Sequence, residues 1–258
     1  MIFAGVSNVG LKRSNNEDAF YIPNGEGRSI MIVADGMGGH NAGEIASGAA
    51  AEAVADYLNE CPLEELQTRP EALMEAAIRR ANVVVKSLSC TRGDYSGMGT
   101  TMTAVLFLNG RAIIGHVGDS RSYHFTDGAL HCITTDHSLV QELLDMGEIT
   151  DKEAADHPQR NVITRALGLH YDVGVDVFNA SFTKGDILLL CSDGLTGHLS
   201  DEEIERLIVC RKMRGECLAQ QTLDEICNLM MRAALSRGGT DNITIALAHQ
   251  NQGGGDCL

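Results

Sequence analysis

The chain has 258 residues, 44% of them hydrophobic and 21% charged, a folded-protein composition at a length that one sandwich or barrel can occupy. A formal net charge of −15 argues against nucleic acid as a partner, because phosphate backbones are held by an excess of Lys and Arg; it leaves open a protein whose clustered carboxylates bind cations. No apolar run reaches membrane-spanning length, and no signal peptide is visible. The eight cysteines (61, 90, 132, 191, 210, 217, 227, 257) form no Cys-x-x-Cys pair and no zinc spacing, so a reduced, cytoplasmic protein is expected.

Ile2 to Ser7 is short, apolar and strand-like, and a second strand-like run follows Arg13-Ser-Asn-Asn-Glu17-Asp18. Asn24 to Gly27 is turn-forming. The apolar run Ile30–Ala34 is too short for a helix and rich in β-branched residues, which predicts a buried strand. It ends at Asp35, and Gly36, Gly38 and Gly39 follow. Asn41 to Asn59 turns Ala-rich and helical, with Ile45, Ala49, Ala53, Val54 and Leu58 expected on the buried face. Pro62 ends it, and Pro70 opens a second helix through Leu73, Ala77, Ala81 and Val84. Two such helices in succession would cover one face of a sheet. Beyond a polar loop at 91–99, Thr100–Leu108 and Arg111–Val117 are joined by Asn109-Gly110, a hairpin signal. Further strands are expected at Ser122–Phe125 and Leu130–Thr134.

Asp136 is expected to cap a helix over Ser138 to Met146. Gly147 to Asn161 reads as an irregular insertion, followed by one helical turn at Val162–Leu167. The alternating segment Val173–Phe182, the apolar strand Ile187–Cys191, helices at Ser200–Val209 and Leu218–Ser236, and a last strand at Ile243–Ala248 complete the order. A glycine-containing tail from Gln250 is expected to be disordered. No repeat or linker divides the chain.

Four carboxylates share one placement: Asp35, Asp119 and Asp193 at strand ends, and Asp241 at a strand start, each beside glycine or small residues. Glu17-Asp18 also adjoins a strand start. Taken singly, each is better explained as a turn former. Together, carboxylates converging on one sheet edge repel unless cations hold them, and an all-oxygen donor set suits Mg²⁺ or Mn²⁺ rather than zinc. Arg121 and Arg165 are expected in structural ion pairs, Asp136-His137 at a helix cap, and His170 and His198 belong to no motif.

The segments Arg13-Ser-Asn-Asn-Glu17-Asp18, Asp35-Gly36-Met37-Gly38-Gly39-His40, Gly118-Asp119-Ser120-Arg121, Ser192-Asp193-Gly194 and Asp241-Asn242 occur in the order found in metal-dependent protein Ser/Thr phosphatases of type 2C. Over residues 1–249 the chain resembles the bacterial branch of that family. The resemblance implies an α+β fold of α-β-β-α layers: a β-sandwich of two antiparallel sheets flanked by helices. It implies one catalytic domain over 1–249, with a flap-like insertion at about 145–170 and a tail at 250–258.

It further implies hydrolysis of phosphoserine and phosphothreonine in proteins by a water bridging two Mn²⁺ or Mg²⁺ ions, with no phospho-enzyme. Asp18, Asp35, the Gly36 carbonyl, Asp193 and Asp241 would bind the two metals. Asp119 with Asp193 would form a weaker third site, Arg13 would clamp the phosphate, and Glu17 stays open between ligand and structural cap. Expected partners are phosphorylated proteins and a cognate Ser/Thr kinase, with the enzyme a monomer. Where eukaryotic relatives place a His after Asp-Gly, this chain has Met37, which cannot donate a proton. His40 is near but has no assigned role, and the leaving-group acid is unassigned. Two rivals stand beside this reading: a non-catalytic signalling module of the same fold, disfavoured by the intact carboxylates, and a metal-dependent nucleotide or nucleic-acid hydrolase, disfavoured by the absent basic patch and absent Walker loop.

Overall fold

Period-two alternation along the apolar strands divides their side chains between two environments. In the computed structural model, which describes residues 1–23, 25, 27–39, 42–212 and 219–251, Ile30, Ile32 and Ala34 of β3 (Ile30–Met37) enter one helix-covered core, while Met31 and Val33 face the opposite way. Strand β10 (Ile187–Cys191) divides likewise: Ile187, Leu189 and Cys191 join a second helix-covered core, while Leu188 and Leu190 meet Met31 and Val33 in a central layer. Strands buried on both faces are continuously apolar for this reason.

The resulting layers are helix, sheet, sheet, helix. One sheet runs in the order β1 (Ile2–Asn8), β11 (Ile243–His249), β10, β7 (Arg121–Thr126), β8 (Ala129–Cys132). The other runs β2 (Asp18–Tyr21), β3, β5 (Met102–Leu108), β6 (Arg111–Val117), β9 (Asp176–Ser181), with β4 (Gly99–Thr100) added to β3. The recorded pairings are antiparallel. Helices α1 (Ala42–Glu60) and α3 (Pro70–Ser89) cover the second sheet, with α2 (Leu63–Thr68) between them in sequence. The first sheet is covered by α7 (Asp201–Lys212) and α8 (Gln220–Ser236).

Several local expectations need correction. In α1, Val54 and Leu58 are buried as expected, but Ala46, Ala50 and Ala51 take the buried positions expected for Ile45, Ala49 and Ala53: with alanine on nearly every side the periodicity leaves the phase weakly set. In α3, Val85 is buried in place of Val84. The cap of α4 (Leu139–Asp145) is Ser138, whose Oγ accepts from Gln141 N–H, and not Asp136. Residues 162–167 form no helix, and instead bridge in extended conformation to Ser138 through Ile163 and to Thr100 through Leu167. The insertion contains a short helix, α5 (Asp151–Ala155), closed by a Thr150–Glu153 capping box, and Asp193 opens a further short helix, α6 (Asp193–Thr196). Gln250 is hydrogen-bonded to Gly185 and Asp186. Asn24 and Glu26 of the expected turn, His40, Asn41, Cys217, Leu218 and residues 252–258 with Cys257 lie outside the described residues.

One packing constraint places the site. Strand β3 and the start of α1 touch at Gly36, where a Cβ would stand 2.2 Å from Gly43 O and 2.4 Å from Glu17 O. Gly36→Ala is therefore expected to destabilise the fold by about 1–3 kcal/mol through overpacking, read as a lowered urea midpoint at unchanged m-value.

Candidate metal centre

Asp35 continues the Met31, Val33 face of β3, so alternation aims it into the space between the sheets. Asp18 is its register partner across the β2–β3 pair, which sets the two carboxylates side by side. The backbone around them is tied in three places. Thr101 Oγ1 accepts from Asp35 N–H at 2.8 Å, Asp35 O accepts from Thr101 N–H at 2.9 Å, and Glu17 O accepts from Gly36 N–H at 3.1 Å.

The first sheet supplies Asp193 and Asp241 to the same end. Ser192 spans the gap: its Oγ donates to Asp18 Oδ2 at 2.8 Å and accepts from Thr244 N–H at 2.9 Å. Asn242 ties down the N-terminal loop, donating through Nδ2 to Val9 O (3.0 Å) and Asn15 O (2.9 Å) while its Oδ1 accepts from Glu17 N–H (2.8 Å). That loop carries Arg13, whose Nη2 lies 2.7 Å from Asp241 Oδ2, so the guanidinium stands at the mouth of the site. Residues distant in sequence thus line one cavity of about 230 Å³: Arg13, Glu17, Asp35, Gly36, Met37, Gly38, Asp119, Asn161, Ile163, Asp193, Asp241 and Asn242.

The electrostatics show what this arrangement costs without a cation. Burial first, then Asp18, Asp193, Asp119 and Asp241, push Asp35 well above the usual carboxylate range. Burial and neighbouring acids raise Asp18 to about 6, Asp193 to about 6 and Asp119 to about 7. Asp18 Oδ1 and Asp193 Oδ1 are buried with no hydrogen-bond partner in the protein. Buried charge of one sign with unsatisfied oxygens is the signature of a site for hard cations. Among the described residues no three His, Cys, Asp or Glu side chains close on one point as a finished cage. A cation such as Mg²⁺ keeps several waters and needs only one or two carboxylates, so the donor set fits such ions without a closed cage.

The expected site residues do not all stand alike. Asp18, Asp35, Asp119, Asp193 and Asp241 are brought into one another's field. Glu17 lines the cavity, and its carboxylate packs on Gly43 and accepts a backbone hydrogen bond there, at the first turn of α1. Burial is the main cause that raises its pKa.

Arg121 and Arg165 form ion pairs, as expected, with Asp136 (2.7 Å) and Asp176 (2.8 Å). Burial opposes the charge of Arg121, and Asp136 and Tyr123 together more than offset it, so its pKa is raised. Asp136 is therefore an ion-pair partner. His198 accepts from Thr240 N–H at 3.0 Å, bracing the approach to Asp241. Asn161 and Ile163 were not anticipated. They come from the base of the insertion, where polar residues beside Arg160 are the only sequence signal. Asn161 also belongs, with Asp119 and Asp193, to an adjoining cleft of about 570 Å³ walled by Arg121, Val140, Leu144 and Asp151.

The chain as a whole is similar to known proteins. A protein-family profile described as Protein phosphatase 2C matches residues 11–235. The serine/threonine phosphatase stp of Listeria monocytogenes is 36% identical over 241 residues, 93% of this chain and 92% of that protein. The crystal structure of the Mycobacterium tuberculosis serine/threonine phosphatase PstP/Ppp superposes with a TM-score of 0.84 at 39% identity, covering 97% of this chain and 99% of the other. A structure of the PstP catalytic domain in complex with two manganese ions gives 0.80 at 37% identity, covering 95% and 96%. Fold and sequence agree over nearly the full length, and the chain belongs to the protein phosphatase 2C family.

Proposed function

We propose that this chain is a metal-dependent protein Ser/Thr phosphatase that hydrolyses phosphoserine and phosphothreonine in proteins, using Mn²⁺ or Mg²⁺. The observation that carries the reading is the buried, mutually repelling set Asp18, Asp35, Asp119, Asp193 and Asp241, with two orphaned carboxylate oxygens. In the proposal Asp18, Asp35, Asp193, Asp241 and the Gly36 carbonyl hold two cations, and Asp119 with Asp193 holds a weaker third. Such cations, when bound, acidify water toward neutral pH and offset the phosphate's charge.

The protein's own groups do the rest. Arg13 presents paired guanidinium donors to the phosphate oxygens, held ready at the rim by Asp241. Met37 lines the cavity and has no proton to give, so this side chain does not supply the proton for the leaving alcohol. Phosphoproteins made by a cognate Ser/Thr kinase are the substrates this chemistry calls for. Free thiols at Cys61, Cys90, Cys132, Cys191, Cys210 and Cys227 suit a reducing compartment, and a monomer acting in the cytoplasm completes the reading. Among the described residues no helix is long and apolar enough to cross a membrane.

Phosphoserine and phosphothreonine peptides, nucleotides and single-stranded DNA, each assayed with Mn²⁺ and with chelator, test the proposal. Turnover confined to the phosphopeptides and abolished by chelator is expected. Turnover of nucleotides or DNA alone favours the nucleotide or nucleic-acid hydrolase, and no turnover of any substrate favours a signalling module. Arg13→Ala is expected to lower kcat/KM for the phosphothreonine peptide by about 10- to 100-fold, the worth of a charge-assisted hydrogen bond, mainly through KM.

A further inference from the structure

The turn that carries Asp119 leaves β6 in one sheet and enters β7 in the other, and one side chain far along the chain grips it. Gly118 adopts φ +113°, and a Cβ there would stand 2.6 Å from Thr101 Cβ. Both of its backbone polar groups bond to His137. Gly118 N–H donates to His137 Nδ1 at 3.0 Å, and Gly118 O accepts from His137 N–H at 2.7 Å. A backbone N–H can only donate, so Nδ1 is unprotonated and the ring proton sits on Nε2. There it donates to Asp176 Oδ2 at 3.1 Å, and Arg165 Nη1 lies 2.8 Å from Asp176 Oδ1. The His137 carbonyl accepts from Thr164 N–H at 2.9 Å, at the base of the insertion. His137 is 6% exposed and packs against His116, the tilted rings 4.8 Å apart between centroids. Every polar group of this residue is committed, two of them to Gly118.

We propose that His137 is the positioning residue of Asp119: by clamping Gly118 it sets where the Asp119 carboxylate stands, and through Asp176 and Thr164 it ties that placement to the base of the insertion. This rests on reading Asp119 as a ligand of the weakest cation. The two ends of the imidazole can be imitated separately. Asn at 137 places an amide oxygen near the Nδ1 position and keeps an acceptor for Gly118 N–H. Gln places its amide near Nε2, keeping a donor for Asp176 and losing the Gly118 bond.

Calorimetric Mn²⁺ titration of the whole chain, with thermal midpoints beside it, separates these. His137→Gln is expected to weaken the weakest Mn²⁺ binding event by about 10-fold, the usual effect of losing support behind a ligand, while the tighter events hold. His137→Asn is expected to stay within about 2-fold of the unsubstituted protein, as a restored acceptor requires. Asp119→Asn is the reference and should lose the weak event. If Asp119→Asn loses it and His137→Gln does not, or if Asn and Gln weaken it equally, the proposal is overturned alone. If Asp119→Asn titrates like the unsubstituted protein, the reading of Asp119 falls and the proposal with it. Should His137→Gln fail to fold, His137→Asn and Asp176→Ala decide: both keep an acceptor for Gly118 N–H, so the weak event should stay within about 2-fold in each, and a weakening of about 10-fold in either overturns the proposal.

Discussion

Replacing Asp193 by Ala is expected to lower Mn²⁺-dependent turnover of a phosphothreonine peptide by roughly 10³-fold or more. Losing a single electrostatic donor at a reacting centre already costs about 10²–10³ in rate, and Asp193 faces both Asp35 and Asp119, so its removal affects every cation in the proposed set. The alternative explanation of lost activity, a collapsed fold, predicts the opposite stability change from the one expected. Burial and the charge of Asp241 raise Asp193 to about 6, so its ionised form is a strain on the metal-free protein. Taking it away should leave the chelated protein's denaturation midpoint unchanged or higher. Asp193→Asn, which keeps the shape and drops the charge, should be equally inactive. Full activity in either variant would remove Asp193 from the centre.

Much of this was readable beforehand because the relevant signals are local. The runs Ile30–Ala34 and Ile187–Cys191 are apolar on both faces, as strands between two layers must be, and a carboxylate at the end of each such run lies where the sheet ends. What escaped reading depends on partners far along the chain. Asp136 looked like a helix cap until Arg121, 15 residues away, took its carboxylate. Residues 162–167 carry helix-compatible side chains, yet Thr100 and Ser138 offer extended partners and the tertiary bridge wins over propensity. The contact of the Glu17 carboxylate with Gly43, at the start of α1, is likewise set by a distant partner. Asn242, the neighbour of Asp241, holds Val9, Asn15 and Glu17 in place, a role that no periodicity could reveal.

Freed of divalent cations, the protein is expected to lose stability as pH rises from about 4 to about 8. The direction follows from where the carboxylates titrate. An unfolded Asp titrates near 3.8, whereas burial and neighbouring acids hold folded Asp18 and Asp193 at about 6 and Asp119 at about 7, with Asp35 also raised. Across this window the folded state binds more protons than the unfolded one, so unfolding free energy falls with pH. Below about 4 both states are protonated and the effect is absent; it grows as pH rises through the folded values and is complete only above them. A carboxylate moved from 3.8 to about 6 costs on the order of 3 kcal/mol once ionised. A cation binds the ionised form, so Mn²⁺ at about 100 times its Kd adds about 2.7 kcal/mol per site, and adds most where the chelated protein is weakest. The gap between urea midpoints with Mn²⁺ and with chelator should therefore widen from pH 5 to pH 8. General self-repulsion in a chain of net charge −15 acts in the same direction, and Asp35→Asn separates the two. With this buried acid neutralised, the metal-free midpoint should rise at pH 8, stay nearly unchanged at pH 5, and flatten the pH dependence. A chelated protein whose midpoint climbs from pH 5 to pH 8, or an Asp35→Asn variant with an unaltered slope, would show that these carboxylates do not share a buried site.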